Sequence, residues 1–169
     1  MTAPRISKDE YYLGIAKEVA RRSTCFRRSI GAIIVRNDQI ISTGYVGAPR
    51  KTRDSLEHGF CLRDRLNIPH GQRYELCRSV HAEQNAIINA ARAGVSLLGG
   101  DMYIFGSSTE SGAAISAFPC FICKKMIINA GLNRVICSTA DGKHMVFTAE
   151  DWTKAWREGD ILDDTHQYG

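Results

Sequence analysis

Two short segments of this chain hold residue types that do metal chemistry. His81-Ala82-Glu83 stands at the start of one predicted helix, and Pro119-Cys120-Phe121-Ile122-Cys123 at the start of another. Zinc takes borderline and soft donors in a tetrahedron, and one imidazole with two thiolates fills three corners. A C-x-x-C pair at a helix start lets both sulfurs reach one ion, and the positive helix end favours their thiolate forms. The fourth corner is left for water, the mark of a catalytic site and not of a closed structural one. Glu83 lies two residues beyond His81, close enough to face that water without being a ligand. Its carboxylate can take a proton from the water and deliver it to a substrate.

Each piece alone has a blander reading. A lone C-x-x-C also fits a structural zinc, a thioredoxin-like redox pair or two buried thiols, and a lone H-x-E is often a surface accident. The redox reading leaves His81 and Glu83 unexplained. There are six cysteines, and no apolar signal core precedes them, so metal or catalytic use is expected over a disulfide framework. Cys25 ends the first predicted helix, while Cys61 and Cys77 sit in or beside a long irregular stretch. With His58 at an H-x-x-C spacing before Cys61, these could hold a second, structural zinc; His70 is the alternative fourth ligand. The competing reading is three buried free cysteines. Cys137 reads as a core residue of a strand.

The elements that must carry these residues follow from periodicity and punctuation. Ser7 and Glu10 form a capping box before a helix through about Arg22, with Tyr12, Ile15, Ala16 and Val19 as its apolar stripe. Ile30 to Val35 and Gln39 to Thr43 are strands joined at Asn37-Asp38. Residues 44–79 are irregular and rich in Gly, Pro, Arg, His and Cys, and a stretch of that length needs a staple or a function. A helix runs from Val80 to Ala93, a strand from Met102 to Phe105, and a small, polar loop from Gly106 to Ala117. Pro119 opens a helix closed by Gly131, Arg134 to Cys137 is a strand, and Thr148 caps a last helix over 149–157. This order predicts a three-layer α/β/α domain around one mixed sheet, with a single domain over 1–169 and a zinc-stapled insertion over about 44–79.

Composition bounds the rest. The chain has 169 residues, 44% hydrophobic and 24% charged, with a formal charge of +4, so disordered and fibrous classes are out. No run approaches a membrane span, and a cytoplasmic location is expected.

The zinc motifs match the H-x-E and P-C-x-x-C signature of zinc nucleobase deaminases. The chain resembles the deoxycytidylate deaminase branch of the cytidine deaminase superfamily from about Tyr11 to Val135. The likeness rests on Arg21-Arg22-Ser23-Thr24-Cys25, Ile30-Gly31-Ala32, Gly44-Tyr45-Val46-Gly47-Ala48-Pro49, Cys77 to Ile87 and Pro119 to Gly131. The family usually has Asn where this chain has Val46, and the Gly106 to Phe118 loop is longer than in many relatives. The resemblance implies a cytidine-deaminase-like fold, catalytic Zn2+ on His81, Cys120 and Cys123, and Glu83 as proton shuttle. It also implies hydrolytic deamination of dCMP to dUMP and ammonia. Some relatives carry a second zinc near Cys25, Cys61 and Cys77. A homo-oligomer, dimer or hexamer, is implied as well.

Arg27, Arg28 and Arg50 could serve the phosphate of such a substrate, with Ala82 beside the ring; a solvated basic loop is the alternative for each arginine. A zinc deaminase for another aminated heterocycle is the runner-up. A polynucleotide substrate is disfavoured by the modest charge and few aromatics, and a non-catalytic zinc-stapled module by the intact Glu83.

Overall fold

The computed structural model describes residues 4–159. Helix α1 spans Lys8–Ala20, and its capping box is present: the Ser7 hydroxyl accepts from the Glu10 amide at 3.2 Å, and Glu10 accepts from the Ser7 amide at 2.9 Å. Strands β1 (Arg28–Arg36) and β2 (Gln39–Tyr45) form the expected hairpin. Its turn residues Asn37 and Asp38 both have positive φ, 51° and 61°, the conformation that suits the twist of a two-residue hairpin turn. The insertion contains two four-residue helices, α2 (Ser55–His58) and α3 (Leu62–Arg65), and a 3-10 turn at Tyr74–Leu76. Beyond it come α4 (Ala82–Ala93), β3 (Asp101–Ser108), α5 (Phe121–Asn129), β4 (Arg134–Ser138), β5 (His144–Thr148) and α6 (Ala149–Glu158).

The sheet has five strands in the order β2-β1-β3-β4-β5. Only β3 and β4 are parallel, because α5 carries the chain back between them; the other pairs are antiparallel. The sheet is therefore mixed, as expected. Strand β5, antiparallel to β4 through the turn at Gly142, is an edge strand that the sequence reading lacks.

Alternation along β1 assigns the two faces. Ile33 and Val35 point to α1, where they meet Tyr12, Leu13, Ala16, Tyr103 and Ile136. Ala32 and Ile34 point to the other side, where Ala86 and Ala90 of α4, Ile127 of α5 and Trp152 of α6 complete the larger core with Met102, Ile104 and Val135. This is the three-layer α/β/α arrangement. Cys137 belongs to the larger core and is fully buried.

Two glycines let helices approach the sheet closely. A Cβ on Gly31 would sit 2.3 Å from the Ala16 carbonyl of α1. A Cβ on Gly44 would sit 2.3 Å from the Ala86 amide and 2.4 Å from the Ala82 carbonyl of α4. The second contact sets where the first turn of α4 lies, and that turn carries His81 and Glu83.

Candidate zinc deaminase site

His81 and Cys120 are the N-cap residues of α4 and α5, so both helices begin two residues later than the sequence pattern suggests. At an N-cap the side chain projects beyond the helix end, beside free main-chain amides. Cys123, in the first turn of α5, turns toward the same point. The first turn of α4 is fixed from three sides. Gln84 accepts from the His81 amide at 3.0 Å, Asn85 donates to the Tyr45 carbonyl at 2.8 Å, and Ser42 donates to the Ala86 carbonyl at 2.6 Å.

The result is a compact donor set. His81 Nδ1 lies 3.5 Å from Cys120 Sγ and 3.4 Å from Cys123 Sγ. Among the described residues, this is the only group of three or more such donors whose ligand atoms all lie within 4.8 Å of one another. The spacing suits zinc. Tetrahedral bonds of about 2.0–2.1 Å to nitrogen and 2.3 Å to sulfur separate the two ligand atoms by about 3.5 Å. Three protein donors leave a fourth position for water or substrate.

Electrostatics point the same way. A hydrogen bond from Cys123, and after it one from His81, holds the Cys120 thiol down to about 4. Donating that proton, together with burial, pushes Cys123 up. Burial alone would lower His81, but its bond to Cys120 and the nearby Glu83 carboxylate leave it raised. Three donors competing for protons at this spacing are suited to sharing a divalent cation. Glu83 is 5% exposed, and burial raises its carboxyl above the ordinary range.

Glu83, His81 and Cys120 lie on one cavity, whose walls include Ala82, Val46, Arg27, Arg28, Arg63, Tyr74 and Phe118. Thus the structure brings His81, Glu83, Cys120 and Cys123 together, with Arg27, Arg28 and Ala82 beside them. Arg50 is not among the described cavity residues. It is exposed and donates to Asn89 Oδ1 at 2.5 Å, a side chain of α4 that itself donates to the Thr43 carbonyl of β2.

The second set is not gathered. No three of Cys25, His58, Cys61 and Cys77 have their ligand atoms within 4.8 Å of one another. His58 ends α2 and packs against the Phe60 ring at 5.8 Å, Cys61 stands at the N-cap position of α3 without a side-chain capping bond, and Cys25 and Cys77 line the cavity shared with His81 and Glu83. The insertion is held by arginines. Arg27 binds Asp64, its Nε at 2.7 Å, and Arg63 donates to the Pro69 carbonyl at 3.0 Å.

Arg63 and Tyr74 are among the wall residues that the sequence reading omits. Arg63 is 6% exposed, its guanidinium lies 4.9 Å from the Tyr74 ring centroid, and that ring meets His81 edge-on at 4.9 Å. Both lie in an irregular segment, where no periodicity marks a residue as inward-facing.

Comparison with known proteins supplies the relationship. Residues 6–139 match the family described as the cytidine and deoxycytidylate deaminase zinc-binding region. The deoxycytidylate deaminase of Mycobacterium phage D29 is 34% identical over 134 residues, covering 76% of this chain and 91% of that protein. That of Schizosaccharomyces pombe is 31% identical over 136 residues, or 80% of this chain. The chain spans only 38% of the length of the fission-yeast protein. The crystal structure of the cyanophage S-TIM5 dCMP deaminase in complex with dCMP and dUMP superposes with a TM-score of 0.55 at 27% identity. It covers 78% of this chain and 82% of the phage chain. With the family match running over most of its length and onto both zinc motifs, this chain belongs to the cytidine and deoxycytidylate deaminase family.

Proposed function

We propose that this protein is a zinc-dependent deaminase that hydrolyses deoxycytidine 5′-monophosphate to dUMP and ammonia. The observation that carries the reading is the placement of Glu83, a buried carboxyl on the same cavity as three donors at zinc-ligand spacing. Relatives named deoxycytidylate deaminase, and a similar phage structure holding dCMP and dUMP, support the choice of substrate.

His81, Cys120 and Cys123 would hold the metal. Zinc, when bound, supplies Lewis-acid activation that brings the pKa of a water near neutrality. Glu83 does the proton work: its carboxylate accepts a proton from the attacking water, passes it to the ring nitrogen, and helps protonate the departing amine. Overall, water adds at C4 of the cytosine ring, the C–N bond breaks, and ammonia leaves as the carbonyl forms. Burial suits Glu83 to this task, because a carboxyl with a raised pKa is, as carboxylate, a stronger base toward the attacking water than it would be in bulk water. Ala82, 1% exposed between His81 and Glu83, keeps the cavity floor small and apolar beside the ring. Arg27 and Arg28 supply positive charge at the cavity wall for the phosphate.

The second zinc is left out of this reading, because its four expected ligands are not gathered. The implied homo-oligomer is retained, supported by the exposed Ile88 and Ile122 on α4 and α5. A cytoplasmic location is retained on the sequence reading; no helix among the described residues is long and apolar enough to cross a membrane.

The test is ammonia release from dCMP, deoxycytidine and cytosine at fixed salt with zinc-loaded protein. Fastest turnover of dCMP is expected. Equal or faster turnover of an unphosphorylated ring would move the protein to the runner-up, a deaminase of another aminated heterocycle.

A further inference from the structure

Arg63 is a buried cation, 6% exposed, with no carboxylate at ion-pair distance among the described residues. Its recorded partners are one main-chain carbonyl, Pro69 at 3.0 Å, and the face of Tyr74. Its Nε is buried with no hydrogen-bond partner. A full charge held out of water by one carbonyl and one ring face is undercompensated, and a fold keeps such a group where an anion completes it.

The surroundings favour an anion. The cavity that Arg63 lines also takes in Arg27 and Arg28, and its one acidic side chain is Glu83. Arg27 spends Nε and Nη2 on Asp64 and keeps Nη1 buried without a partner, while Arg28 is exposed, so Arg63 is the enclosed cation with no acid of its own. The three arginines share a neighbourhood. His70, on the same cavity, is held below its ordinary pKa first by burial and then by the charges of Arg27, Arg28 and Arg63. Tyr74 stands between Arg63 and the zinc ligands, with its ring against both Arg63 and His81.

We propose that Arg63, braced on Tyr74, selects the 5′-phosphate of the substrate and so makes the insertion a specificity element of the deaminase. A phosphomonoester brings close to two negative charges and three acceptor oxygens, which a guanidinium engages directionally. The Tyr74 ring spaces this cation from His81, so that the phosphate is held while the base faces Glu83. The assignment rests on the reading of the chain as a dCMP deaminase.

Three variants of the zinc-loaded protein separate charge from scaffold. Arg63→Gln keeps a planar donor for Pro69 and Tyr74 and removes the charge. Arg63→Lys keeps the charge and loses the planar fork. Arg63→Met removes both. Calorimetry with dUMP and with inorganic phosphate, and turnover of dCMP against deoxycytidine, are measured alongside zinc content and circular dichroism. Removing a charge-assisted bond is expected to weaken dUMP binding about tenfold or more in Arg63→Gln and Arg63→Met. The preference for dCMP over deoxycytidine should fall by a similar factor, and Arg63→Lys should recover much of both. If Arg63→Met does not fold, the Gln and Lys pair decides. Equal dUMP affinity in Gln and Lys variants would overturn the proposal and leave Arg63 as a tether for the insertion. Failure of the wild type to deaminate dCMP while Arg63→Gln still loses dUMP and phosphate binding would refute the substrate reading and leave the anion site standing.

Discussion

Asn85 donates its side-chain amide to the Tyr45 carbonyl at 2.8 Å, and this bond ties the first turn of α4 to the end of β2. The turn presents His81 and Glu83, so the bond acts on the site from behind. Asn85→Ala is expected to cost about 1 kcal/mol, which for a chain of this size lowers the melting temperature by about 2–4 °C. Zinc should also be lost to a chelator sooner than in the wild type. A melting point and chelator half-life both equal to wild type would show that α4 is held without this bond.

Gly44 works on the same turn by absence. Any side chain there meets main-chain atoms of α4 at 2.3–2.4 Å, and backbone yields less than a side chain. Gly44→Ala should cost at least the roughly 1–3 kcal/mol typical of overpacking, and should displace the donor set along with the helix. Thermal melting and zinc content of the purified variant check this. A variant with wild-type stability and full zinc would mean that α4 can slide without penalty.

Glu83→Gln should keep the fold and the zinc and lose most turnover. The carboxamide fills the same buried space but cannot accept and return a proton. Groups in this role contribute about a hundredfold to ten-thousandfold. Ammonia release and metal content, measured on one preparation, separate lost chemistry from lost metal. Turnover within a few-fold of wild type would remove Glu83 from the proton path.

The site was legible because its chemistry is written in short spacings at helix starts. H-x-E and C-x-x-C each need only one turn of helix, and the N-caps place them without help from distant sequence. Helix α1 and the hairpin were legible from a capping box and a two-residue turn. Strand β5 was not, since His144–Thr148 is an edge strand with three exposed residues at its start and carries no clean alternation. Helices α2 and α3 are four residues each, too short to show a period. Arginine reads as a surface residue by default, so the sequence offers Arg50, beside the glycine-rich segment, for the phosphate and passes over Arg63. Only the packing of Arg63 against Tyr74 and Pro69 tells them apart.

The Arg27–Asp64 pair gives the insertion a pH dependence. The hydrogen bond from Arg27 holds the Asp64 carboxyl below its ordinary 3.8. A depressed carboxyl contributes stability that is present above its unfolded pKa and lost as pH falls through the lower, folded one. Asp64 is 52% exposed, so solvent screening keeps the pair within about 0–1 kcal/mol. Urea midpoints of wild type and Asp64→Asn between about pH 2 and pH 6 should differ at the upper end and converge at the lower. A gap that stays constant over the range would show that the carboxylate charge adds nothing.

Metal content tests the donor sets directly. One group of described residues has zinc-ligand spacing, so one zinc per chain is expected on His81, Cys120 and Cys123. Cys120→Ser removes a ligand and leaves Cys123 and His81 with a hard, protonated hydroxyl in place of a thiolate, so most of the zinc should be lost. Cys61→Ser should leave the zinc content unchanged, because Cys61, at the start of α3, belongs to no such group and the insertion is held by Arg27 and Arg63. The measurement is zinc per chain by elemental analysis after gel filtration, for both variants and the wild type. A wild-type content near two per chain, falling by one in Cys61→Ser, would show that Cys25, Cys61 and Cys77 close on a second ion when it is supplied.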